Sequence, residues 1–443
     1  MNFSQIFQAF KTSSRLQQKL LWTIGLLALY RFLVVIPVPF VDIDMLMAPN
    51  GATMDSLGFF VMLLGGSLEN FSLVAVGLSP FINASIIFQL LTFVIPHLEE
   101  LQEMGEQGTK QIQQYTRYAT FPLAFLQGIG MVYFINSLLG GQIIDTSSFT
   151  TVFLAAFVLA VGSMMMVFLA DVLTEKGLSN GTSMLIFASI VAGITNAIYG
   201  SFVGATGVTD VFKIVLFIVI VLCSLVVFSI FLLKSQKKIP IIYARAGKVE
   251  QTTVLPIPLN PVGMVPIIFA IAFATFPYLL AQLVIRLGTM NQSVLSLAQR
   301  VEINLNIYST QNPSMIAIAV YFVLIVAFTF FYTLIQYNPE KIADSIQKKG
   351  GFIYGIRPGK ETAKYIHTIL MHLCVWGGLG LGFLGIYGYI IYSIPFIGEL
   401  AQLAGNIPVA ISGSGIIIVV GVVQEIFTKL QSEHVMEQYE SIS

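Results

Sequence analysis

Apolar stretches of about 20 residues recur along this chain and restrict its fold more than any other feature. The hydrocarbon core of a bilayer is about 30 Å thick and needs about 20 helical residues to cross it. Such stretches occur ten times, at about 20–38, 74–95, 119–138, 150–170, 182–200, 211–233, 264–286, 314–336, 367–390 and 408–428. Only 10% of the residues are charged, against about 25% in soluble domains. The sequence therefore predicts an all-α polytopic membrane protein with ten transmembrane helices.

Basic residues are distributed unevenly between the two sides of the predicted spans. An even number of spans places both termini on one side of the membrane. Of the 22 lysines and arginines, 18 lie on the side of the termini, three lie on the opposite side, and Arg31 lies within the first span. By the positive-inside rule, both termini are predicted to be cytoplasmic. The long basic cytoplasmic segments 234–261 and 338–365 are candidate docking surfaces.

The ten spans divide into two sets of five that cross the membrane with opposite polarity, because five is odd. This arrangement permits an inverted repeat of residues 1–201 and 202–443. A further segment, at about 55–71, is apolar but too short to span, and Gly65-Gly66 interrupts it. We expect a re-entrant half-helix there. Since irregular backbone is tolerated at membrane depth only beside protein or water, this half-helix implies a cavity.

The polar residues of the spans do not suggest catalysis or ion coupling. No paired Asp, Glu or His lies at mid-depth, as an ion-coupled transporter would usually require. The four histidines lack metal-ligand spacing, and Cys223 and Cys374 lie far apart in apolar runs. We therefore expect no catalytic residue, no metal site and no cofactor, and a driving force supplied by a partner. A secondary transporter with inverted repeats, and a scaffold or insertase without a through-pore, stay open as alternatives.

Five strings along the chain are too long to be generic motifs. They are GLSPFINASII at 77–87, QQYTRY at 113–118, TEKGLSNG at 174–181, NPVGMVPIIFA at 260–270 and GFIYGIRPG at 351–359. In sequence, order and position relative to the spans, they resemble the signatures of the SecY family. The resemblance implies two five-helix halves around a central hourglass pore that conducts unfolded secretory polypeptides and releases hydrophobic segments laterally into lipid. It also implies a bacterial plasma membrane, with a plastid thylakoid membrane as the alternative.

In that family the waist of the pore is a ring of aliphatic side chains. The positions of this chain that match the ring are Leu78, Ile82, Thr182, Ile186, Ile268 and Ile418. Apolar side chains at a constriction block ions by dewetting. Thr182 departs from the usual aliphatic residue. We expect its hydroxyl to weaken the ion seal unless it hydrogen-bonds a backbone carbonyl of its own helix.

The resemblance also implies two moving parts. The segment at 55–71 matches the family's plug, which lies below the ring on the outer side, and its central residues are Phe59, Phe60, Met62, Leu63, Leu64, Gly65 and Gly66. A lateral gate between spans 2 and 3 and spans 7 and 8 matches Phe81, Asn83, Gln127 and Phe276. We expect the polar gate residues to hydrogen-bond each other when the gate is closed. Ordinary helix packing is the alternative explanation for the same residues.

The basic loops match the surface that meets partners in the family, either the SecA motor ATPase or the ribosome. The residues implied in docking are Arg245, Lys248, Lys348, Lys349 and Arg357. Arg357 lies in a Gly-Ile-Arg-Pro-Gly turn, where a guanidinium can bind a carboxylate or phosphate through two hydrogen bonds. The lysines can alternatively serve only to set topology, and Tyr354 replaces the family's usual proline. Further implied partners are SecE-like and SecG-like small membrane subunits, signal-sequence-bearing polypeptides and the lipid bilayer.

Overall fold

The computed structural model describes residues 14–39, 41, 71–138, 144, 148–204, 207–243, 251–287, 292–304, 314–393 and 412–440. The first seven described helices are α1 (Ser14–Val35), α2 (Ser79–Leu91), α3 (Pro96–Glu103), α4 (Glu106–Leu138), α5 (Phe149–Lys176), α6 (Gly181–Gly204) and α7 (Val208–Lys234). The following elements are β1 (Gln236–Tyr243), β2 (Gln251–Pro258), α8 (Val265–Leu287), α9 (Gln292–Asn304), α10 (Met315–Gln336), α11 (Pro339–Lys348), β3 (Gly351–Phe352), α12 (Lys360–Ser393) and α13 (Gly413–Glu440). Helices dominate the described residues, as the apolar stretches predict.

A helix lies at each of the ten apolar stretches that were predicted to span the membrane. Among the described residues, seven helices are long and apolar enough to cross a bilayer: α1, α5, α6, α7, α10, α12 and α13. The pair α2 and α3, bent by 99°, is an eighth candidate. Helices α4 and α8 lie at the two remaining stretches. The positions of the helices thus agree with the prediction, whereas the count of ten spans stays a prediction, as does the division into 1–201 and 202–443.

The bend between α2 and α3 follows from the local sequence. Helix α2 ends at Leu91, and Pro96 is the first residue of α3. Proline disfavours the helical conformation in the residue before it, and Ile95 is accordingly extended, with φ −104° and ψ 110°. Helix α3 therefore points away from α2. It is short and amphipathic, and it buries Leu98 and Leu101.

One large apolar cluster joins the two halves of the chain. It includes Leu33 of α1, Ile214 of α7 and Ile417 of α13. Helix α8 packs against α2 and α4, and α13 packs against α6. Close packing also requires small residues: a Cβ atom at Gly162 of α5 would lie 1.9 Å from the carbonyl oxygen of Leu73. We refer to the boundary between α2/α4 and α8/α10 as the seam.

A small antiparallel sheet lies outside the predicted spans. Strand β1 pairs with β2 along its whole length. Strand β3 pairs with the end of β1, where Ile242 lies opposite Phe352 and Tyr243 opposite Gly351. Ile239 and Ile353 are buried in the apolar cluster that the strands share with α11 and α12. The sequence analysis treated 234–261 and 338–365 as separate loops, but the structure joins them into one unit, because strand pairing across 110 positions leaves no local pattern.

Candidate functional site

Five of the six residues matched to the ring lie in or against the same apolar cluster. Leu78, Ile186 and Ile418 are buried members of this cluster, and Ile82 and Ile268 are partly buried against it. They come from α2 and the residue before it, α6, α8 and α13, so that both halves of the chain contribute. The structure thus brings aliphatic side chains of distant sequence positions into one apolar region.

Thr182 differs from the other ring positions in its hydrogen bonding. It is partly buried near the start of α6, and its backbone N–H donates to Asn180 Oδ1 at 3.0 Å. Within the described part of the chain its hydroxyl has no hydrogen-bond partner. By contrast, Thr329 and Thr333 donate to the carbonyl four residues earlier, at 2.7 Å and 2.8 Å. The helix start explains the difference, since the residue four positions before Thr182 precedes α6.

The residues matched to the lateral gate lie on the helices that form the seam. Asn83 of α2 and Gln127 of α4 are 7% and 5% exposed, while Phe81 and Phe276 are partly buried. No hydrogen bond joins Asn83 to Gln127 in the described structure, and the Gln127 amide nitrogen is buried without a partner. In this conformation the two side chains are therefore not hydrogen-bonded to each other, and the expectation that they are when the gate is closed stays a prediction. A buried donor left unpaired costs about 1–3 kcal/mol, so Gln127 is a weak point of the seam.

Two contacts join the two halves of the chain at the sheet end of the seam, one beside α2 and α10 and one between α3 and α11. The rings of Phe93, just after α2, and Phe331 of α10 lie edge to face with centroids 5.4 Å apart. Lys341 Nζ of α11 lies 3.7 Å from Glu103 Oε1 of α3, and both side chains are about two-thirds exposed. An exposed ion pair contributes little stability, about 0–1 kcal/mol. These contacts hold the two sides together without a strong polar bond.

A cavity of about 640 Å³ lies beside these contacts, between α3 on one side and α10, α11 and the sheet on the other. Its α3 wall carries Glu99 and Glu103, and the opposite wall carries Lys341 and Lys349. Apolar side chains also line it, among them Phe93. The sequence analysis did not predict this cavity, because it depends on how α3 is placed against a sheet that was itself unforeseen.

Arg357 is exposed on a turn that is stabilised by a hydrogen bond and anchored by a buried neighbour. Glycines on both sides adopt positive φ, 78° at Gly355 and 96° at Gly359, a conformation that glycine accepts without strain. The Thr362 hydroxyl donates to the Arg357 carbonyl oxygen at 2.9 Å. Ile353, which precedes the turn, is buried in the cluster under the sheet. The turn therefore presents its guanidinium from a fixed backbone.

The other residues matched to docking and to the plug are placed less completely. Lys348 and Lys349 are exposed at the end of α11. The remaining matched residues lie outside the described residues: Arg245, Lys248, Phe59, Phe60, Met62, Leu63, Leu64, Gly65 and Gly66.

At the start of α4, Lys110 Nζ lies 2.8 Å from Glu106 Oε1, and this hydrogen bond lowers the pKa of the Glu106 carboxyl. Both groups stay charged at neutral pH, and they add no net positive charge to this surface.

Helix α1 is tied to the opposite half of the chain by contacts that sequence reasoning missed. The Lys19 ammonium forms an ion pair with Glu433 of α13. Leu16 of α1, Leu178 and Leu430 of α13 are buried together beside it. Charge pairing across more than 400 residues leaves no signal in a single sequence.

In the described residues, no group of three or more His, Cys, Asp or Glu side chains is placed to hold a metal ion.

Comparison with known proteins decides the family. The family model described as SecY matches residues 72–427, which is most of the chain. The chain belongs to the SecY family. The protein translocase subunit SecY of Staphylococcus epidermidis is 34% identical over 447 residues, and the match covers 98% of each protein. The SecY subunit of Bacillus subtilis is 35% identical over 445 residues, covering 97% of each.

Solved structures of the SecY/Sec61 type share the fold. A structure described as a protein-conducting channel matches with a TM-score of 0.61. Sec61 in the canine ribosome–channel complex from the endoplasmic reticulum matches with a TM-score of 0.60. Each is 17% identical in sequence, and each match covers 97% of this chain and 95% of the other. The predicted fold class, a helical polytopic membrane protein of the SecY family, is therefore confirmed.

Proposed function

We propose that this chain is the channel subunit of a protein translocase. It conducts unfolded secretory polypeptides across the membrane and releases hydrophobic segments laterally into lipid. The observation that carries the proposal is the gathering of aliphatic side chains from both halves, at the family's ring positions, in or against one apolar cluster. Family membership supports it independently, since the curated relatives are named as translocase subunits.

The ring seals the resting pore against water and ions. Leu78, Ile82, Ile186, Ile268 and Ile418 offer no polar group to water or ions, so an empty constriction stays dry and non-conducting. The same side chains form no hydrogen bond with a polypeptide in transit, and they change rotamer around it. We assign the function of the family's plug to residues 55–71, of which only Phe71 lies within the described residues.

The seam serves as the lateral gate. Separating α2/α4 from α8/α10 breaks the Phe93–Phe331 ring contact and the exposed Glu103–Lys341 pair. It breaks no hydrogen bond of the Gln127 amide nitrogen, which has none among the described residues. The polar cost of opening is therefore small. A sufficiently apolar client segment gains free energy by passing through the opening into lipid.

Partners supply the driving force and complete the complex. The joined sheet and the exposed Arg357 turn form a docking surface for a SecA-like motor or the ribosome, and the exposed Lys348 and Lys349 add positive charge to it. Arg245 and Lys248 are assigned to the same docking function on the family resemblance alone, since they lie outside the described residues. Small SecE-like and SecG-like subunits pack on the lipid-facing helices. The bias of 18 basic residues against three supports cytoplasmic termini. The bacterial sources of the curated relatives support a bacterial plasma membrane.

Reconstitution tests the proposal. The purified chain, with its small subunits, is placed in vesicles and supplied with SecA, ATP and a radiolabelled secretory precursor. We expect the precursor to become resistant to added protease only when ATP is present. If the precursor stays accessible while the Bacillus subtilis complex protects it under the same conditions, the channel assignment is wrong.

Replacing Thr182 by isoleucine should tighten the resting channel. The unbonded hydroxyl of Thr182 offers water a hydrogen-bond partner on one side of the ring, and an aliphatic side chain removes that partner. We expect Thr182→Ile to lower the resting conductance of reconstituted channels in planar bilayers by about twofold to fivefold. Thr195→Ile, a change on the same helix at an exposed threonine, is the matched control. Unchanged conductance in Thr182→Ile would contradict the assignment of this position.

Gly351→Ala should weaken the pairing of β3 with β1, which joins the segments 234–261 and 338–365. A Cβ atom at Gly351 would lie 2.8 Å from Tyr243 Cε1 and 3.0 Å from Ile346 Cγ2. Overpacking of this kind costs about 1–3 kcal/mol, which is comparable with what holds a two-residue strand in place. We expect faster proteolytic cleavage within 234–261 and weaker SecA stimulation. Gly200→Ala, where the added Cβ meets nothing within 4 Å, should leave the cleavage rate unchanged. Equal cleavage of both variants would show that the pairing of β1 with β3 is not structurally important.

A further inference from the structure

The cavity at the sheet end of the seam has walls of opposite charge. Helix α3 contributes Glu99 and Glu103, while α11 and the residue after it contribute Lys341 and Lys349. No lysine or arginine lies on α3, whose sequence is PHLEELQE. The apolar side chains of Phe93 and Leu334 line the same space. The cavity therefore joins an acidic wall from one half of the chain to an apolar lining that is continuous with the seam.

The charges of this cavity are only loosely balanced. Glu103 reaches Lys341 at 3.7 Å, with side chains 66% and 70% exposed. Among the described residues, Glu99 forms no ion pair. Any movement that separates α2 and α3 from α10 and α11 carries the lysines away with the other half. An open seam thus leaves two carboxylates without a counter-charge, next to an apolar entrance.

We propose that the α3 wall of this cavity binds the basic flank of an apolar client segment as that segment enters the seam. The proposal rests on the proposed channel function and names the part of the client that this site recognises. Lysine or arginine side chains next to the apolar stretch pair with Glu99 and Glu103, and the start of the stretch lies against Phe93 and Leu334. Lys341 and Lys349 repel the flank from the opposite wall and so favour the α3 side.

The site makes the orientation of a client depend on its flanking charge. A basic flank held at α3 stays on the face that carries the sheet, while the apolar segment passes between α2 and α10. A client with an uncharged flank enters the same seam without this hold. The effect on such a client of removing the carboxylates is therefore expected to be small, and this difference separates the site from the channel itself.

The test compares client flanks across matched variants of the full reconstituted complex. Clients carry zero, one or three lysines before an otherwise identical apolar segment, and all vesicles share one neutral lipid composition. The unmodified complex should insert the three-lysine client more efficiently than the uncharged one. In the Glu99→Gln/Glu103→Gln variant this preference should fall by about threefold to tenfold, the effect of up to two exposed charge pairs. Glu100→Gln, an exposed change on the same helix outside the cavity, should keep the preference.

Charge reversal completes the test. Glu99→Lys/Glu103→Lys should reverse the preference and favour a client with an acidic flank. An unaltered preference in the Gln double variant would overturn the proposal. So would an equal loss in Glu100→Gln, which would indicate a general field around α3 instead of a site. Failure of the uncharged client in the unmodified complex would instead count against the channel function, so the two failures can be told apart.

Discussion

Replacing Ile186 and Ile418 together by serine should raise the resting ion flux of the reconstituted channel by at least about tenfold. Both side chains are buried, 9% and 2% exposed, and they come from opposite halves of the chain. Their hydroxyl groups would give water hydrogen-bond partners on two sides of the constriction, so the pore would no longer dewet. Polypeptide translocation should persist, because the change widens the ring without removing it. Single-channel recording in planar bilayers, without precursor, measures the effect.

A matched control separates a leak from general instability. Ile214 of α7 is 1% exposed in the same apolar cluster, but it is not a ring position. Ile214→Ser therefore carries a similar cost of burying a hydroxyl, about 1–3 kcal/mol, without wetting the pore. A similar leak in Ile214→Ser, or no leak in the ring variant, would contradict the ring assignment.

Arg357→Glu should lower SecA-driven translocation by at least about tenfold, the effect of losing a charge pair worth about 2–5 kcal/mol at an interface. The exposed guanidinium is presented from a turn that Gly355 and Gly359 allow by adopting positive φ and that the Thr362 hydrogen bond stabilises. Glutamate reverses the charge at that fixed point. Arg357→Lys should recover only part of the activity, because an ammonium cannot form the paired hydrogen bonds of a guanidinium. The rate of precursor protection in vesicles measures both variants.

Lys364→Glu provides the control for charge alone. Lys364 is exposed on the first turns of α12, close to Arg357 in sequence. If the basic residues of this region serve only to set topology, the two reversals should have the same small effect. Normal SecA stimulation in Arg357→Glu, with unchanged expression, would rule out the docking role.

The helical part of the fold could be predicted because its signal is local. The length of an apolar run in the sequence predicts the length of the helix it forms. The stretch predicted at 211–233 accordingly corresponds to α7, Val208–Lys234. Pro96 likewise marks the break after α2 within a few residues. Contacts between distant positions carry no such signal. The pairing of Ile242 with Phe352 and the Lys19–Glu433 ion pair were therefore found only in the structure.

The candidate site was predictable to a different degree in each of its parts. The family resemblance identifies Leu78, Ile186 and Ile418 as ring positions, and the structure places all three in one cluster. Motifs do not show which individual polar atoms are hydrogen-bonded. They suggested a hydrogen bond between Asn83 and Gln127 that the structure lacks, since each side chain depends on the exact packing around it. The cavity beside α3 arises from three-dimensional placement alone.

Site-specific crosslinking tests the central claim most directly. A photoreactive residue is placed at Ile82 or Ile268, with Cys223 and Cys374 replaced, and a stalled secretory nascent chain is presented in membranes. Val219 of α7, 52% exposed on the outside of the bundle, serves as the control position. We predict crosslinks from Ile82 and Ile268 to the hydrophilic part of the client, and none from Val219. No crosslink from either ring position, while the matching positions of the Bacillus subtilis relative do crosslink, would contradict the claim that polypeptides pass through this ring.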